Sequence, residues 1–134
     1  MERSSDEKVL AGLTHVAVLF NMVGVIYILI MFIVYKQKSR FVYDHAKQAL
    51  GLWVASFVVF RLLGLFMGAG FASLFAFSSP WTTGFIGSAL ILGLIVSGLG
   101  IATLVLVIIA AVKAFSGQDF RYPVIGDMVS RLGE

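Results

Sequence analysis

The sequence contains no cysteine, which excludes disulfides, thiolate metal sites and cysteine nucleophiles. Charge is scarce as well: only 13 % of residues are charged, where a soluble domain carries about a quarter. Proline occurs at Pro80 and Pro123 alone, so little interrupts long helices. No acidic residue interrupts the three long apolar runs, so no paired carboxylates stand ready for general acid and base work. There is no nucleotide-binding glycine loop and no serine in a nucleophile-elbow context. The net charge of +3 is not gathered into a nucleic-acid-binding patch.

What fills the chain is apolar. Of 134 residues, 60 % are hydrophobic, and the mean hydropathy is +1.00. Runs with almost no charge cover Val9 to Tyr35, Gln48 to Thr83 with Arg61 alone, and Gly84 to Val112. Each exceeds the roughly 20 residues that a bilayer core requires. The expected fold class is therefore all-α, a polytopic transmembrane helix bundle in a single membrane domain over 1–134. Its spans are expected at about 9–35, 46–66 and 83–115, with an interfacial segment over 67–82 and a tail over 116–134. The first run is too long for the apolar region of a signal peptide, so it is expected to stay attached.

Charge distribution orients the chain. Lys36, Lys38, Arg40 and Lys47 flank the first connection, and Lys113, Arg121 and Arg131 lie in or beside the C-terminal tail. By the positive-inside rule these regions are cytoplasmic, and three full spans place the N-terminus outside. A continuous helix over Val9–Tyr35 would measure about 40 Å, against a core of about 30 Å. Tilt or a break must absorb the difference. A break at Asn21-Met22-Val23-Gly24 would make four segments, with a re-entrant or interfacial hairpin first and the N-terminus returned to the cytoplasmic side.

Local signals mark the helix ends. Ser4 or Ser5 suits the N-cap of the first helix, with Glu7 nearby, and Asp44 suits that of the second. Gly64, Gly68 and Gly70 weaken helix, and Ser78-Ser79-Pro80 stops it. Between them, Phe71, Phe75, Phe77 and Trp81 suit an outer headgroup belt. A short amphipathic helix on the cytoplasmic surface is expected after Pro123.

The candidate functional polar residues are Arg61, His45, His15, Asn21 and Lys47. Arg61 lies in FVVFRLLGLF, where a central arginine costs about 2.5–3.5 kcal/mol unless it snorkels, meets carbonyls or faces water. Thr14, Asn21 and Gly24 share one face of the first span, and Asn21 reads as interhelical glue. His15, at a depth comparable to Arg61, is expected neutral and able to accept a hydrogen bond from it. With three full spans His15 and His45 lie near opposite faces, too far apart to ligate one haem in a monomer; a split first span or an oligomer would lift that objection. Lys47 reads as an anchor to lipid phosphates. Ala89, Gly93 and Ser97, four apart, form a helix-packing stripe that serves either intramolecular contact or an oligomer.

The stretch FVYDHAKQALGLW, residues 41–53, together with LTHVAVL at 13–19 and GQDFRYPVIG at 117–126, resembles a bacterial family of small Tic-twenty-like membrane proteins of unknown function. That group includes magnetosome proteins of the MamF and MmsF type. His45, Ala46, Lys47, Gln48 and Leu50 carry the match, which implies shared architecture in a bacterial inner membrane or one derived from it. No catalytic residue is implied. The expected function is a non-enzymatic accessory or assembly subunit, contacting the bilayer and either copies of itself or other membrane subunits. The alternatives are an oligomeric channel for anions or small solutes and, more weakly, a haem-binding or magnetosome-type protein. No cofactor, metal or nucleic acid is expected.

Overall fold

The computed structural model describes residues 3–76, 82–123 and 131, with side chains placed for 3–68, 87–123 and 131. Phe71, Phe75, Phe77, Trp81 and the segment after Pro123 fall outside the residues whose side chains or structure are described. The elements are α1 (Ser5–Ala17), a 3-10 turn (Val18–Phe20), α2 (Asn21–Tyr35), α3 (Arg40–Ala76) and α4 (Thr82–Phe115). No strand occurs among the described residues. Three segments, Ser5–Tyr35, Arg40–Gly68 and Gly87–Phe115, are long and apolar enough to cross a membrane, and the chain is a multi-pass membrane protein.

The first of these segments is not straight. Asn21 has φ 47 and ψ −124, a positive-φ conformation that glycine adopts most readily. There the chain reverses. Gly24 then lies directly on the carbonyl of Ala17, where a Cβ would come within 1.7 Å of the oxygen. Only glycine permits that approach. The arms run antiparallel: Ala17 packs with Ile28 near the turn, while Leu10 and Ala11 share a cluster with Met31 and Tyr35 at the open end. The Tyr27 hydroxyl donates across the hairpin to the Leu10 carbonyl at 3.4 Å. Arms of 13 and 15 residues measure about 20 and 22 Å, so neither equals the bilayer core.

This geometry departs from an unbroken first span and matches the alternative of a break at Asn21-Met22-Val23-Gly24. Arg3 donates to the Gly117 carbonyl and makes two 3.0 Å bonds to the Asp119 carboxylate, so the N-terminal and C-terminal tails meet. The physical cause is the backbone at Asn21 and Gly24, which hydropathy does not register.

The chain forms two compact units. The first comprises Met1–Ala55 with Leu104–Glu134 and contains the hairpin, the start of α3, the end of α4 and the tail. Ser4 caps α1 by accepting the Glu7 N–H at 3.2 Å, as expected. Asp44 does not cap α3. That helix starts four residues earlier, with Ser39 accepting the Val42 N–H at 3.4 Å, and Asp44 instead faces Arg40 at 3.7 Å on the exposed surface. At the far end of α4, Gly117 N–H reaches Ala114 O and Gln118 N–H reaches Lys113 O, both at 2.9 Å. With Gly117 at φ 75 this is a Schellman cap, which turns the tail back along the bundle.

The second unit is Ser56–Thr103. Within it α3 continues helical to Ala76, past Gly64, Gly68 and Gly70, and the described leucines and isoleucines of α4 are mostly exposed, as lipid contact requires.

Candidate functional site: a buried histidine pair

His15 and His45 are both buried and touch each other. The α1–α2 reversal sets α1 beside the start of α3, and His15 Nε2 stands 2.8 Å from His45 Nδ1. This overturns the expectation that they sit near opposite faces: the objection to a shared position rested on an unbroken first span. His15 Nδ1 is 2.8 Å from the hydroxyl of Tyr122, delivered by the returning tail. Both His15 nitrogens are thereby engaged within this cluster, so it does not take a bond from Arg61.

Neutral His15 carries hydrogen on one ring nitrogen only, so it donates from one and accepts at the other. Tyr122, His15 and His45 thereby form one hydrogen-bonded series whose donors all point the same way. No buried side-chain nitrogen or oxygen among the described residues lacks a partner.

A shell holds the chain in place. Gln48, one turn beyond His45 on α3, accepts the Tyr122 N–H at 3.3 Å. Phe41 packs edge-on to His45 at 4.5 Å, and the Arg3 guanidinium lies 4.1 Å over the Phe41 ring. Leu52, Val107 and Ala110 bury Tyr122, and that burial pushes its phenol well above the usual tyrosine range.

Chemically the arrangement is closed. Both ring nitrogens of His15 and Nδ1 of His45 are taken up by contacts within the cluster, so none of the three is a free ligand. Axial nitrogens on opposite sides of one haem iron stand about 4 Å apart, twice a bond of about 2 Å, whereas these are 2.8 Å apart. Among the described residues no group of three His, Asp or Glu side chains is placed to hold a metal ion. The residues present do not fit a bis-histidine haem.

The other candidates lie elsewhere. Asn21 is exposed at the hairpin turn, where its backbone matters more than its amide, while Thr14 is buried and donates to its own helix at Ala11 O, 2.6 Å away. Lys47 is half-buried on α3 and does not join the hydrogen-bonded chain. Arg61 is exposed in the second unit, its guanidinium 5.4 Å from the Phe57 ring. Ala89, Gly93 and Ser97 lie on α4, with open space beside Gly93 and the Ser97 hydroxyl donating back to Gly93 O at 2.8 Å. Tyr122 and Gln48 were not singled out as site residues by sequence reasoning. Gln48 lies in the HAKQAL motif and Tyr122 in GQDFRYP, so motif membership was the available signal.

No curated protein and no solved structure matches the chain. One family model does, over residues 6–129, which takes in both histidines, Gln48 and Tyr122. The chain belongs to the MamF/MmsF family, described as the magnetosome magnetite crystal formation protein family.

Proposed function

We propose that this protein is a non-enzymatic membrane subunit that assembles with copies of itself to support magnetite crystal formation in a bacterial membrane compartment. The observation that carries the assembly is in the second unit. Gly93, Gly98 and Gly100 of α4 have nothing within 4 Å of where a Cβ would sit, so these close-approach positions are unfilled by the chain's own described residues. The family description supplies the process. The closed histidine chain supports a structural role over a catalytic one. Arg3 reaches both Phe41, beside the first connection, and Asp119 of the C-terminal tail, and the positive-inside rule assigns this end of the first unit to the cytoplasm.

The test has two arms. Crosslinking in native membranes, followed by mild solubilisation, is expected to give a discrete oligomer that Gly93→Leu dissolves. Monomer alone in both samples would end the assembly reading. Expression in a magnetosome-forming bacterium lacking its own family member is expected to restore crystal size by electron microscopy, and unchanged crystals would remove the assigned process.

A further inference from the structure

The α1–α2 hairpin has polar residues at its open end and, apart from the exposed amide of Asn21, only hydrocarbon at its tip. Ser5, Asp6, Glu7 and Lys8 begin one arm, and Lys36, Gln37 and Lys38 follow the other. At the tip Phe20 is 64 % exposed, Met22 65 % and Val23 75 %, and Ile33 on the outer side of α2 is 70 % exposed. No charged residue lies between Val9 and Tyr35. Both polar ends must therefore stay in one headgroup layer while the tip seeks hydrocarbon.

Length fixes how deep it goes. From Val9 to the turn is about 18 Å along α1, and α2 measures about 22 Å. A single leaflet contributes about 15 Å of the roughly 30 Å core. The tip thus reaches the region of the midplane and stops. Two helices' worth of cross-section enter one leaflet with nothing equivalent from the hairpin in the other, whereas a segment that crosses the bilayer displaces lipid in both.

We propose that the α1–α2 hairpin is a one-leaflet wedge, embedded in acyl chains from the face that holds its polar ends, and that it directs the protein to membrane whose hairpin-side leaflet is convex. The occupant of its bare apolar surface is the lipid of that single leaflet. Added area in one leaflet is relieved when that leaflet is on the outside of a curve. The protein accordingly has a membrane-shape preference that is independent of the crystal-formation reading.

The absence of cysteine makes the test clean. Full-length protein carrying Gln37→Cys, at the exposed open end of the hairpin, is reconstituted into giant vesicles and labelled from outside with an impermeant dye. That selects molecules with the hairpin in the outer leaflet. On a tube pulled outward, the protein-to-lipid signal is expected to rise above its value on the parent vesicle. Protein labelled only from the lumen is expected to fall below it. Equal ratios for both populations, or the reverse order, would overturn the proposal. Depth is read separately with bimane on Phe20→Cys, or on Leu19→Cys should the first variant not fold. Strongest quenching by lipids nitroxide-labelled near the chain ends supports the wedge, and quenching by an aqueous agent confined to the opposite side refutes it.

Discussion

His15 and His45 share one hydrogen between ring nitrogens 2.8 Å apart, although 30 positions separate them in the chain. That single bond joins the α1–α2 hairpin to α3, and Tyr122 extends it to the C-terminal tail. Three parts of the first unit are thereby held in one register.

Removal of His15 and of His45 tests the contact between the rings. His15→Ala leaves His45 Nδ1 and the Tyr122 hydroxyl each without the partner that His15 supplies, each loss costing about 1–3 kcal/mol when buried. His45→Ala leaves His15 Nε2 without its partner. The double variant is expected to lose clearly less than the sum of the two, because the shared bond is counted twice. Unfolding in detergent followed by circular dichroism supplies the cycle, and strict additivity would mean the rings do not interact.

Gly24→Ala places a methyl group where the Ala17 carbonyl already sits. Neither atom belongs to a side chain that can rotate away, so a loss of about 1–3 kcal/mol or more is expected. Asn21→Gly keeps the positive-φ turn and should be tolerated, whereas Asn21→Val should cost about 1–2 kcal/mol. Melting temperatures should be highest for Asn21→Gly, lower for Asn21→Val and lowest for Gly24→Ala.

Alkaline pH should loosen the tail. An unfolded tyrosine ionises near pH 10, while burial raises the phenol of folded Tyr122 above that. Below about pH 10 both states hold the proton and stability is fully present. As pH climbs from there toward the folded value the unfolded state loses its proton first, and stability falls. Tyr122→Phe should be less stable at neutral pH, because His15 Nδ1 loses its partner. It should also lack this part of the alkaline loss, which pH-dependent melting of the two proteins would show.

Topology gives a yes-or-no measurement. Cysteines introduced singly at Asp6, Gln37 and Arg121, all exposed, should react with an impermeant reagent from the same side of the membrane. Labelling of position 6 from the opposite side would mean that the first segment crosses.

Membrane class and helix content were legible in residue order, because each depends on local composition: long runs without charge, few prolines, basic residues clustered around one connection. The Ser4 cap was legible for the same reason, since a cap needs only the next three residues. Asp44 misled because it is a good cap by type, yet Ser39 stands earlier and α3 had already begun. Arg61 was legible as an isolated cation, and its ring contact with Phe57 is a neighbour four residues away on the same helix.

Tertiary structure alone decided the rest. The sequence by itself determined that Val9–Tyr35 is apolar and that Asn21 and Gly24 were where a break would fall. Whether the chain broke depended on a positive φ and on a carbonyl accepting a Cα at close range, neither of which alters hydropathy. Once that reversal is made, His15 lies beside His45, and the Schellman cap at Gly117 brings Tyr122 to His15. The pairing is long-range, so no local pattern encodes it. It exists because a buried imidazole must find partners for both nitrogens, and only the folded hairpin and the returning tail bring them within reach.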